Sequence, residues 1–164
     1  MVAQLDRNLA HYAAIIERDL GISVAQTPGA GAAGGLGAGL LAFTKAQLQP
    51  GVEIVIEKTQ LKTAVADADI VVTGEGGIDF QTQYGKTPIG VAQAVKAVNP
   101  QATVIAIAGN IGEGTDVLYD LGIDSIFCST PGVMSLEKAL ANTKANLTQT
   151  SMNIARLIQK TKTH

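Results

Sequence analysis

The sequence predicts an α/β fold with a mainly parallel sheet and crossover helices. Three observations carry that prediction. Short β-branched runs, DIVVT at 69–73, TVIAIA at 103–108 and DSIFC at 124–128, alternate with helix-compatible segments. Each run is followed by a glycine-bearing loop. The segments between them carry helix start and stop signals.

Taken in order, Val2, Leu5, Leu9, Tyr12 and Ile16 recur at helical spacing before Gly21, which predicts an amphipathic helix over 3–20. TPGAGAAGGLGAGLLAF, 27–43, opens with breakers and becomes helix-compatible toward Leu40, so it reads as a loop feeding a helix. GVEIVIE, 51–57, alternates like a strand but also continues as a helix into 58–66. The first crossover helix should start with Thr87 as N-cap and Pro88 at the first helical position, and end near Asn99 and Pro100. A short helix fits 115–121 before Gly122. Ser135 should cap one final helix with an apolar stripe through Leu136, Leu140, Leu147, Ile154, Leu157 and Ile158. The organisation expected is a single α/β unit over 1–164, with a helix and Gly-rich segment over 1–50 and the parallel core over 51–164.

The chain has 164 residues, 46% apolar and 16% charged, which suits one folded domain or a piece of a larger protein. A net charge of −2 offers no positive field for nucleic acid or anionic lipid, and three Phe, three Tyr and no Trp leave no stacking platform. Neither nucleic acid nor membrane is expected as a partner. Cys128 alone permits no internal disulfide. With only His11 and His164 beside it, at opposite ends, a structural zinc is excluded. The run from 20 to 44 is broken by Pro28, and charges at Asp6, Arg7, Glu17 and Arg18 interrupt any signal-like segment, so a reducing cytoplasm is the expected location. His11 reads as a surface or interface residue, and Cys128 as a core or rim thiol.

Ligands of open α/β sheets gather at the carboxyl ends of strands. There stand TGEGGIDFQTQYGKT (73–87), GNIGEGTD (109–116) and STPG (129–132), expected to share one rim. In the first, Gly74, Gly76 and Gly85 permit close backbone approach, Glu75 and Asp79 are carboxylates, Gln81 and Thr82 are neutral hydrogen-bonders, and Lys86 precedes a helix N-terminus. That set suits phosphoryl transfer: ammonium and helix terminus hold phosphate oxygens, and a carboxylate holds Mg²⁺ or accepts a hydroxyl proton. The bland alternative is a solvated turn, although the connection is longer than most. Asn110, Glu113, Asp116, Ser129 and Thr130 form a second tier, with capping or turn roles the stronger reading for Asp116 and Thr130. GAGAAGGLGAG, 29–39, lacks both the dinucleotide-binding context and a Walker ending, which leaves close helix packing or an anion-binding loop.

PGAGAAGGLGAGLLAF followed by ADIVVTGEGGIDFQTQYGKTPIGVAQ closely resembles the type I glycerate kinases, and the likeness extends to LDRNLAHYA, VIAIAGNI and SIFCSTPG. The resemblance implies ATP-dependent phosphorylation of D-glycerate to phosphoglycerate, commonly the 2-phosphate, assisted by Mg²⁺. It implies a flavodoxin- or Rossmann-like lobe paired with a second α/β lobe, in members more than twice this length. The chain then resembles the C-terminal portion, and the missing N-terminal half is an expected partner. An apolar face on the first helix, through Val2, Leu5, Leu9 and Ile16, is expected to meet that half or to support a homo-oligomer.

Matched to the family motifs, Glu75, Asp79 and Lys86 become the catalytic candidates, with Asp79 and Glu75 also the metal candidates. Gly31, Gly34, Gly35, Gly37, Gly74, Gly76, Gln81, Thr82, Gly85, Asn110 and Ser129 become substrate or nucleotide contacts. The family often carries Arg where this chain has Gly77, which removes a planar bidentate donor and leaves Lys86 to supply more of the positive charge. The alternative of a different class is a noncatalytic α/β module that binds a nucleotide or small anion, or pairs with another chain.

Overall fold

The three β-branched runs form one parallel sheet, ordered β1 (Ile70–Ile78), β2 (Thr103–Ile111), β3 (Ser125–Cys128), in a computed structural model that describes residues 1–161. His164 lies outside the described residues. The first two strands run past their expected ends at 73 and 108. Gly74, Glu75 and Gly77 are therefore paired strand residues, opposite Ile107, Ala108 and Asn110. Close strand approach is the reason: a Cβ on Gly74 would collide with the Ile107 carbonyl, and one on Gly109 would lie 2.8 Å from the Gly76 carbonyl. Glycines that signal a turn in sequence here admit a neighbouring backbone.

One face of the sheet is closed by α5 (Thr87–Val98), whose Ile89, Ala92 and Val95 are buried against Val104, Ala106 and Ala108 of β2 and against Leu118 and Ile123. The helix starts one residue earlier than expected. Lys86, extended at φ −68° and ψ 160°, is the N-cap, and its carbonyl accepts from the Ile89 and Gly90 N–H groups at 3.1 and 3.2 Å. GVEIVIE resolves to helix α3 (Gly51–Lys58). Val52 and Ile56, one helical turn apart, are half-buried, and Val52 lies so close to Gly90 of α5 that a Cβ there would collide with it. Helix α4 (Leu61–Ala64) follows, and Asn99 at the end of α5 ties the next loop down by donating to the Val65 and Ala68 carbonyls at 3.1 and 2.9 Å.

Helix α6 (Val117–Asp120) is shorter than expected; Leu121 is its C-cap, and Gly122, whose φ of +104° favours glycine, turns the chain after it. The other face of the sheet is covered by the C-terminal part of α8 (Thr143–Thr161), where Ile154 and Ile158 pack on Ile105, Ile107 and Phe127. The single final helix of the sequence reading is in fact two. Ser135 caps α7 (Leu136–Ala141) by accepting from the Lys138 N–H at 3.3 Å, and the chain breaks at Asn142. There the Asn142 amide donates to the Lys138 carbonyl at 2.8 Å and the Thr143 hydroxyl to the Leu140 carbonyl at 2.9 Å, side-chain bonds that compete with helix continuation.

Residues 1–50 form a compact unit separate from the one that begins at Gly51. In it α1 (Val2–Leu20) ends at left-handed Gly21, and Ala13 and Ile16 are buried with Val24, Ala30 and Ala38. Val2 and Leu5 are exposed and His11 lies on the surface of the helix. Helix α2 (Ala32–Thr44) opens with a left-handed turn at Ala33, Gly34 and Gly35. Packing accounts for two of its glycines: a Cβ on Gly35 would press on Leu9 and Tyr12 at 3.1 Å, and one on Gly37 would collide with the Gly29 carbonyl. At Gly34 an added Cβ meets nothing, so the left-handed φ of +70° is what calls for glycine there.

Candidate active site

Parallel pairing places the exits of β1, β2 and β3 on one rim, and hydrogen bonds knit those exits together. The Gly112 N–H donates to the Ile78 carbonyl at 2.7 Å and the Phe80 N–H to the Glu113 carbonyl at 3.0 Å, joining the first exit to the second. Thr130 joins the third to the second, its hydroxyl donating to the Gly109 carbonyl at 2.6 Å, while the Ser129 N–H bonds the Ala108 carbonyl at 2.7 Å. Cys128, exposed, is 3.5 Å from the Gly109 carbonyl oxygen, a rim thiol rather than a core one.

On this rim the chain makes a 3-10 turn, Phe80–Gln83, capped by Asp79. Asp79 Oδ1 accepts from the Gln81 N–H at 2.9 Å, and the Thr82 hydroxyl accepts from the Asp79 N–H at 3.2 Å. Thr82 is fully buried, so its hydroxyl serves to hold Asp79 in place. Gln81 keeps an exposed side chain. Gly85, at φ +84°, turns the chain into α5. Lys86 then stands at the α5 N-terminus with Nζ 3.7 Å from Asp79 Oδ1, both side chains part-exposed. An ammonium, a carboxylate and the positive end of a three-turn helix thus meet at one accessible point.

Glu75 does not join that pair. It lies on β1 and lines a separate cleft of about 740 Å³ between the sheet and the α7–α8 segment. The same cleft collects Gly74, Gly76, Asn110 and Ser129. Thus the structure distributes the sequence candidates over two neighbouring places, with Asp79, Gln81, Thr82, Gly85 and Lys86 in one and Glu75 with four others in the second. Gly31, Gly34, Gly35 and Gly37 belong to the other compact unit. Asp116 occupies the N-cap position of α6 without a side-chain cap bond, so its expected capping role is not realised by its carboxylate.

Sequence reasoning missed the cleft's far wall. Leu136, Leu140 and Leu147 read as part of the apolar stripe of a helix; all three are exposed, at 74, 65 and 43%, and line the cleft. The available signal was the interleaving of Thr143, Asn146 and Ser151, polar residues that a fully buried helix face excludes. Among the described residues no group of three His, Cys, Asp or Glu side chains is arranged to hold a metal. Asp79 and Glu75 supply hard oxygen donors, and Mg²⁺ sites that share a nucleotide's phosphates need only one or two carboxylates. A magnesium ion brought with a nucleotide therefore fits one of these carboxylates at a time, Asp79 at the α5 N-terminus or Glu75 on β1.

A lysine and a carboxylate thus meet at a helix N-terminus on the carboxyl rim of the parallel sheet of an α/β protein. The chain belongs to the glycerate kinase family, whose model matches residues 1–159. It is 53% identical over 154 residues to a glycerate kinase of Halalkalibacterium halodurans, covering 94% of this chain and 40% of that protein. Against a glycerate kinase of Bacillus subtilis the identity is 44%, covering 99% of this chain and 42% of the relative. It also resembles a glycerate 2-kinase of Escherichia coli, at 42% identity over 94% of this chain and 40% of that one. A crystal structure from Salmonella typhimurium, described as a glycerate kinase 2, superposes with a TM-score of 0.72 at 42% identity, covering 94% of this chain and 39% of the other. The chain spans about two-fifths of the length of the curated relatives it matches.

Proposed function

We propose that these residues form the C-terminal portion of an ATP-dependent kinase that phosphorylates D-glycerate, and that they supply its phosphate-handling rim. The observation that carries this reading is the Lys86–Asp79 pair, 3.7 Å apart at the start of α5. Negative charge spreads over the phosphoryl oxygens during transfer, and a fixed ammonium beside a helix N-terminus stabilises it without having to reorganise. Lys86 binds phosphate oxygens. Asp79, oriented by the Gln81 N–H and by Thr82, positions Lys86 or receives the proton of the glycerate hydroxyl. Asp79 would be the carboxylate that holds Mg²⁺, which neutralises phosphate charge when bound, with Glu75 on β1 beside the separate cleft as the second candidate. The 2-phosphate is the product this reading favours, in line with the name of the Escherichia coli relative.

The remaining three-fifths of the protein supplies the other wall of the site, and a reducing cytoplasm suits a lone exposed thiol at Cys128. Among the described residues no helix is long and apolar enough to cross a membrane. The test is a steady-state assay of D-glycerate-dependent ADP release, run on this chain alone and on this chain completed with the rest of a glycerate kinase. ADP release by the completed protein, lost on Lys86→Met, supports the reading. Normal rates in Lys86→Met and Asp79→Asn would assign the rim a structural task only. Saturable nucleotide binding without turnover in the completed protein would favour the noncatalytic module.

A further inference from the structure

We infer that the cleft between the sheet and the α7–α8 segment is a subsite for a neutral purine base, the nucleoside end of the proposed ATP site; the inference rests on that proposal for the phosphate end. Its volume of about 740 Å³ lies within the range of small-molecule pockets and exceeds what a three-carbon acid requires. Val72 and Ile107 form the floor, and Leu136, Leu140 and Leu147 the facing wall. Two apolar walls suit a flat heterocycle. Glu75 borders the cleft, but its register partner Ala108 packs on the α5 face, so its side chain leaves the strand on that other face; among the described residues lining the cleft no other carries a charge, and nothing inside neutralises a carboxylate or a phosphate. An anion is thereby directed out of the cleft, toward Lys86 on the same rim. Thr143, Asn146 and Ser151 offer uncharged donors and acceptors along the wall, the chemistry that reads a base edge.

Gly76 gives the second argument. Strand interiors disfavour glycine, and Gly74 and Gly109 are explained by the backbone that would meet their Cβ atoms. Gly76 has no such reason: it is exposed, its φ is not positive, and an added Cβ would meet nothing within 4 Å. A glycine in a strand with open space above it fits a surface that a ligand must approach closely. From Gly74 to Asp79 the strand advances roughly 3.3 Å per residue, so a base on the floor projects a ribose and phosphate tail over Gly76 toward the Asp79–Lys86 pair.

The experiment is calorimetric titration of the 164-residue chain with adenosine, tripolyphosphate and ATP. Leu140→Arg, at a position 65% exposed on α7, and Gly76→Val, which adds a strand-favouring side chain into open space, serve as cleft variants whose folding is checked by circular dichroism. Lys86→Met is the rim variant. Adenosine should bind saturably, at least about tenfold more weakly in both cleft variants, and unchanged in Lys86→Met, which should weaken ATP and tripolyphosphate instead. Adenosine binding undiminished in both cleft variants overturns the inference. So does tripolyphosphate binding without adenosine binding, which leaves the phosphate rim standing. Adenosine binding that depends on the cleft, with no effect of Lys86→Met on ATP, upholds the subsite and overturns the rim reading.

Discussion

The two faces of the sheet are finished differently. On the α5 face, Ile89, Ala92 and Val95 meet Val104, Ala106 and Ala108 with almost no exposure, and small residues on both sides bring helix and sheet close. On the α8 face Ile154 and Ile158 cover Ile105, Ile107 and Phe127, while Leu136, Leu140 and Leu147 stand off and leave the cleft. One face is spent on stability. The other keeps apolar surface available at the end of the sheet where ligands gather, which is where an α/β protein separates scaffold from site.

The largest expected effect tests that contrast by stability. Ile89→Ala on α5, at 1% exposure, should cost about 2–5 kcal/mol, the transfer of a large side chain plus the cavity it leaves. Leu140→Ala on α7 should stay within about 0.5 kcal/mol. Urea unfolding midpoints check both, and equal losses would dissolve the distinction between the faces.

Much of the scaffold was legible because its signals are local. Gly122 and Ser135 mark element ends by their own backbone chemistry and stand where such residues belong, and Pro88 falls in the first turn of α5, one position later than expected. The strand from Gly74 to Ile78 was not legible, since a glycine needed for a turn and one needed to admit the Ile107 carbonyl look alike until the partner strand is known. For the same reason Asp79 and Lys86 were recognisable by chemistry and position, but their 3.7 Å pairing depends on a capped turn between them. Glu75 was grouped with them because it is near in sequence; the structure places it within β1, opposite Ala108, rather than on the capped turn. Leu136, Leu140 and Leu147 carry the helical period of a core face, and period alone does not tell burial from a cleft wall.

Where the closed face ends, at the α5 N-terminus, the effect moves from stability to rate. Lys86→Met keeps the length and apolar stem and removes the charge. Turnover of the completed protein should fall on the order of 100-fold, as for loss of one preorganised electrostatic donor. Unfolding should hardly change, because the Lys86–Asp79 pair is 3.7 Å long and part-exposed. Asp79→Asn should lower turnover less if the amide still accepts from the Gln81 N–H, and it should raise the Mg²⁺ needed for half-maximal rate if this carboxylate helps hold the ion. A fall in stability that matches the fall in rate would mean that the rim belongs to the scaffold.

The smallest expected effect lies at the opposite end of the closed face, where Asp124 fastens α5 to the sheet. Its Oδ2 accepts from Lys96 Nζ at 2.8 Å and from the Val104 N–H at 2.6 Å, and Lys96 also donates to the Ala102 carbonyl at 2.8 Å. Burial pushes the Asp124 carboxyl upward, but the hydrogen bonds from Lys96 and Val104 and the charge of Lys96 together hold it below the ordinary carboxylate range. The unfolded chain therefore binds a proton more readily at this group than the folded one. Its contribution is complete above the ordinary carboxylate range and is lost as pH falls through that range toward the lowered folded value. With the Asp124 side chain 40% exposed, solvent screening keeps the contribution to about 1 kcal/mol or less. Asp124→Asn retains an acceptor for the Val104 N–H and removes the charge, so the variant should be slightly less stable than the parent at pH 7. The two unfolding midpoints should converge as the pH is lowered through the acid range. A difference that stays constant with pH would show that the link between α5 and β2 acts through neutral hydrogen bonding alone.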